Sequence, residues 1–87
     1  MTSIENIFSS KGRVKVLKAL IKLEETNINR LCRETGLHHR IVRSHLDFLE
    51  REGIISRITY GKVKIYKLNY SNPKTKILID IFKELDI

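Results

Sequence analysis

The chain has 87 residues, 41% hydrophobic and 31% charged, which is enough apolar matter to fold and excludes an intrinsically disordered tail. So short a chain holds one domain with a modest core and leaves little room for an enzyme with its own substrate pocket. Seventeen lysines and arginines against ten acids give a net charge of +7, which points to a polyanion as partner.

A single cysteine, Cys32, excludes an internal disulfide, and no CxxC pair exists to hold a structural zinc. No run approaches the roughly 20 apolar residues of a membrane span. The N-terminus lacks the basic-then-apolar form of a signal peptide, so a reducing, cytoplasmic setting away from the membrane is expected.

In chain order, Ile4, Ile7 and Phe8 follow Ser3 at helical spacing and predict a short first turn. Ser9 or Ser10 then caps a helix over 11–23, with Val14, Leu17, Leu20 and Ile21 on one face and Lys11, Lys15, Lys18 and Lys22 on the other. Arg13 falls on the apolar side, where it must snorkel or find a carboxylate. Asn29 is the expected N-cap of a short helix ending at Thr35, and Gly36 is its C-terminal glycine.

A longer helix is expected from His39 to Glu52, closed by Gly53. At about 100° per residue, Ile41, Val42, His45, Leu46, Phe48 and Leu49 share its core side, while Arg40, Arg43, Ser44, Asp47, Glu50 and Arg51 share the other. Residues 54–60 and 63–68 read as two strands joined by Gly61-Lys62. Asn72-Pro73 then opens a last helix carrying Ile77, Leu78, Ile81, Phe82 and Leu85. After the first turn the order is helix, helix, helix, hairpin, helix: a mainly α fold with a small β-hairpin.

Two helices joined by the Gly36 turn, the second with a cationic outer face, form a helix-turn-helix, and the hairpin after it forms a wing. The stretch from Ile28 to Leu37, continuing through His45-Leu46-Asp47-Phe48-Leu49 to Gly53-Ile54-Ile55, resembles the winged helix-turn-helix domain of ArsR-like and MarR-like prokaryotic regulators, especially small archaeal ones. The resemblance spans about 9–68, the core winged helix within a single domain of 1–87. It implies a nucleoid-associated, dimeric transcriptional regulator that binds double-stranded DNA.

In such a fold the start of the second helix enters the major groove, so His38, His39, Arg40, Arg43 and Ser44 are the candidates for base edges and nearby phosphates. His38 also suits the cap position of that helix. Between Gly53 and Lys76 the chain is basic and acid-free. Arg57, Lys62 and Lys64 are therefore candidates for the phosphate backbone, with Tyr60 packing on a sugar or serving the fold.

The surplus apolar residues Ile4, Ile7 and Phe8, with Ile77, Leu78, Ile81, Phe82 and Leu85 on a C-terminal helix over 73–86, are expected to form a homodimer interface. ArsR-like metal sensors carry a cysteine cluster or carboxylate and histidine ligands on the last helix. Here Cys32 stands alone and that helix offers Asp80, Glu84 and Asp86 without histidine, so no metal, cofactor or small-molecule effector is expected. Cys32 reads as a small hydrophobe, with a redox switch as the other option. The competing functions are an architectural DNA-coating protein and a winged helix used for protein contact, which share the fold.

Overall fold

The computed structural model describes residues 4–86. The chain runs α1 (Ile4–Phe8), α2 (Lys11–Leu23), β1 (Glu25–Thr26), α3 (Ile28–Thr35), α4 (His39–Arg51), β2 (Ile55–Tyr60), β3 (Val63–Leu68) and α5 (Pro73–Glu84). This is the winged helix-turn-helix expected, with its elements in the expected order. Ser3, expected just ahead of the first turn, lies outside the described residues.

The helix ends follow from side chains that satisfy otherwise orphaned backbone N–H groups. Ser10 rather than Ser9 caps α2, its hydroxyl accepting from Arg13 N at 3.1 Å. Asn27, not Asn29, caps α3, accepting from Arg30 N at 2.9 Å. The cap sits there because β1 holds the chain extended up to Thr26, which makes Asn27 the last non-helical residue. Gly36 closes α3 with φ 72°, a left-handed conformation that a side chain would strain.

The expected two-stranded hairpin is part of a three-stranded antiparallel sheet in the order β1-β3-β2. Tyr60 pairs with Val63 across the turn, and Glu25 and Thr26 pair with Lys67 and Tyr66 on the other edge of β3. Gly61, at φ 60°, supplies the positive φ that a two-residue type II′ turn needs at its first position.

One core joins every layer: Ile7 from α1, Val16, Leu17, Ala19 and Leu20 from α2, Leu31 from α3, Val42, Leu46 and Leu49 from α4, Ile54, Ile55, Tyr66 and Leu68 around the sheet, and Leu78 and Phe82 from α5. The buried face of α2 is rotated from the expected one, since Val16 and Ala19 are buried while Val14 and Ile21 are only partly so. Both α3 and α4 pack on α2, and they draw that side of the helix inward. Ile41, expected in the core, is 46% exposed. It lies about 100° around α4 from Val42, beyond the arc that Val42, Leu46 and Leu49 define.

The joint between α4 and the wing is built from side-chain amides and a hydroxyl. Asn69 Nδ2 and Asn72 Nδ2 both donate to the Gly53 carbonyl, at 2.9 and 3.0 Å, and buried Thr75 donates through Oγ1 to the Ile54 carbonyl at 3.1 Å. These bonds fix the end of α4 against the start of α5, and hence the strand that leaves it.

Candidate nucleic-acid interface

Helix α4 is held by its buried Val42, Leu46 and Leu49, so the opposite face, with His39, Arg40, Arg43, Ser44 and Asp47, is exposed. His38 is the N-cap: its Nδ1 accepts from Arg40 N at 3.2 Å. In the neutral ring that leaves the proton on Nε2. His38 is also exposed, so the cap does not withdraw it from the surface.

The wing meets α4 across a groove lined by Ile28, Arg43, Asp47, Arg57, Lys64 and Tyr66. Arg43 from the helix and Arg57 and Lys64 from the strands therefore border one cleft, with Asp47 as an acid among them. Lys62 and Tyr60 stand apart from it at the exposed tip of the hairpin.

Arg57 is not simply a solvent-facing cation. Its Nε lies 3.6 Å from Glu50 Oε2 at the far end of α4, so the wing is tied to the helix by an ion pair. A half-exposed pair of this kind adds little stability, about 0–1 kcal/mol, but it orients both partners. Sequence reading placed Glu50 and Arg57 separately because a helix-to-strand pair has no signature in spacing.

Behind the exposed face, Arg13 meets an aromatic ring and a backbone carbonyl. Its guanidinium lies 3.7 Å from the centroid of the Phe48 ring and donates to the carbonyl oxygen of Asn6. A cation over an aromatic face is worth about 0.5–2 kcal/mol. Arg13 thereby links α1 and α2 to the inner flank of α4. His45 lies beside it, half-buried, with Nδ1 buried and without a hydrogen-bond partner among the described residues. Burial, and then the Arg13 charge, push the His45 pKa below its ordinary value.

Ile41, expected in the core, is exposed on α4 beside this face, and Arg30, not among the expected site residues, borders a second groove with Asn27, Ile58 and Tyr60. The position of Arg30 in the first turn of the leading helix was the available signal for it.

Of the residues expected at a subunit interface, Ile7, Leu78 and Phe82 are buried in the chain's own core. Phe8 is half-buried, its ring 5.6 Å from that of Phe82. Ile4, Ile77 and Leu85 remain 55%, 57% and 64% exposed. With Ile81 half-buried between them, Ile4 and Ile77 border an apolar groove between α1 and α5.

Cys32 is half-buried against the core with a free thiol. Among the described residues no three His, Cys, Asp or Glu side chains gather as a metal site, and no helix is long and apolar enough to cross a membrane.

The sequence model of the bacterial regulatory protein arsR family matches residues 10–57, more than half of the chain, from the cap of α2 into β2. The chain belongs to the arsR family of bacterial regulatory proteins. It is accordingly a sequence-specific transcriptional regulator that binds double-stranded DNA, and not an enzyme. The match favours the ArsR-like over the MarR-like branch of the expected resemblance and gives no support to its archaeal side.

Solved structures share the fold. HlyU from Vibrio cholerae N16961 superposes with a TM-score of 0.77 at 20% identity, covering 92% of this chain and 84% of its own. The transcriptional repressor PagR of Bacillus anthracis gives 0.72 at 23% identity, covering 88% and 85%. A mutant of TubR, a type III plasmid segregation protein, gives 0.76 at 21% identity, covering 94% and 86%. No curated protein sequence matches the chain.

Proposed function

We propose that this arsR-family regulator acts as a cytoplasmic, nucleoid-associated homodimer that reads an inverted repeat. In this reading Arg40, Arg43 and Ser44 meet base edges, with His38 and His39 at the mouth of the major groove and Ile41 beside them for a thymine methyl. Lys62 and Lys64 of the wing hold phosphates, Tyr60 packs near a sugar, and Arg57 stays with Glu50 to set the angle of the wing. Arg30 joins them from the first turn of α3.

The observation that carries the reading is the groove that brings Arg43, Arg57 and Lys64 together beside the exposed face of α4. An arginine can engage guanine O6 and N7 with two bonds, worth about 1–3 kcal/mol of discrimination. The same groove contains Asp47, which disfavours indiscriminate polyanion binding and favours a fixed register.

For the dimer, the support is the exposed apolar surface of Ile4, Ile77 and Leu85, which the chain's own core leaves uncovered. The single domain would then divide into the core winged helix of 9–68 and a C-terminal helix that joins the copies. Two recognition helices related by a two-fold axis stand about 34 Å apart, one turn of DNA.

Selection from random duplexes at near-physiological salt tests this. Enrichment of an inverted repeat with half-sites one turn apart, reduced to a single half-site by Ile77→Glu, is the expected result. Absence of any enriched sequence would favour an architectural role, and absence of binding a protein-contact module.

A further inference from the structure

The lysines of α2 take no part in the interface described above. Lys11, Lys15, Lys18 and Lys22 are all exposed. At about 100° per residue they fall within an arc of about 60°, one above another, on the side of α2 opposite the buried Leu17 and Leu20. With a rise of about 1.5 Å per residue the row is about 16 Å long.

No acidic residue interrupts residues 11–23. Among the described residues the row's one ion pair joins Lys22 Nζ to Glu34 Oε2 of α3, at 3.5 Å. Like charges three and four residues apart destabilise a helix. Lys11 repels Lys15, Lys15 repels Lys18, and Lys18 repels Lys22, so the row works against the helix that carries it. A single glutamate at any of these positions would turn repulsion into attraction. Lys15, Lys18 and Lys22 also border a groove against Glu34 and Thr35 at the end of α3.

We infer that the α2 row is a second phosphate-binding surface, engaging the backbone of duplex DNA that flanks the site held by α4 and the wing. Its length matches about five base pairs, and duplex DNA presents one negative charge per about 1.7 Å of its axis. The row lies on the exposed side of α2 and belongs to neither α4 nor the wing. Flanking duplex is also the polyanion at highest local concentration once the operator is bound. The inference rests on the DNA-binding function of the chain and extends its footprint beyond the recognition site.

The test compares Lys15→Gln/Lys18→Gln with the wild type on two duplexes: one ending at the operator, and one extended by a full turn at each end. The expected wild-type result is a steeper salt dependence on the longer duplex. The double variant should lose that increment, its log-log slope becoming shallower by about 3.6 for the dimer, through two lost phosphate contacts in each of two chains at about 0.9 each, while its binding to the short duplex is unchanged. Its melting temperature should equal or exceed that of the wild type, because repulsion has been removed. Equal slopes for the wild type on both duplexes, or the same loss by the variant on both, overturns the inference while leaving DNA binding intact. Failure of the wild type to bind either duplex overturns the DNA-binding reading with it.

Discussion

His45 shows how far one side chain departs from what its position in the sequence suggests. It lies on the inner flank of α4, so the spacing argument placed it correctly on the core side, but its surroundings could not be read from spacing. Burial and then the Arg13 charge lower its pKa from the ordinary 6.5. The unfolded chain therefore takes the proton more readily than the folded one. Stability is complete above about pH 6.5 and is lost progressively as pH falls from there through the depressed folded value. Thermal unfolding at about pH 7.5 and about pH 5.5 should show a drop in the wild type that His45→Gln reduces; an equal drop in both would remove His45 as the cause. Arg13 itself was legible only as a misplaced cation. That its partners are the ring of Phe48 and the carbonyl of Asn6 depends on how α1 and α4 converge, which no local pattern encodes.

Elements were legible where their ends are chemically marked. Gly36 and Asn72-Pro73 stand where the sequence puts them, because a left-handed residue and a proline at N1 have few alternatives. By contrast β1, two residues long, has no periodicity to detect, and missing it moved the α3 cap from Asn27 to Asn29. The rotated core face of α2 has a similar origin, since which of several apolar residues turn inward is decided by the helices packed against them. Gly12 makes that packing testable. A Cβ there would stand 2.8 Å from His45 Nε2. Gly12 is the second residue of α2, and Gly→Ala in a helix ordinarily stabilises, by about 0.5–1 kcal/mol in the interior and less in the first turn. Against the imidazole the sign should reverse, with Gly12→Ala costing about 1 kcal/mol in the wild type through overpacking, and should become stabilising again in a His45→Ala background. Denaturant unfolding of the four proteins measures it; the same effect in both backgrounds would mean that α2 and α4 do not meet through this pair.

At the scale of the molecule, the exposed cationic start of α4 and the basic hairpin are visible in the sequence, but their boundaries are not. The arginines of α4 were found because a helix with a sharply apolar side must expose the other, and the exposed side is cationic at its start. The apolar arc of α5 was equally visible, yet it serves two purposes. Leu78 and Phe82 complete the chain's own core, while Ile77 and Leu85 face outward. Arg57 is expected from the sequence as a phosphate contact, and its ion pair with Glu50 is a tie to α4 that spacing does not reveal. The central claim is that α4 supplies sequence preference while the wing supplies affinity. The most direct measurement is the base-preference profile of Arg43→Ala beside that of Lys62→Ala on an operator and its single-base variants. Arg43→Ala should flatten the preference at one position in each half-site, at a cost of about 1–3 kcal/mol, while Lys62→Ala weakens every sequence alike. Uniform weakening by Arg43→Ala with its preference intact would contradict the claim.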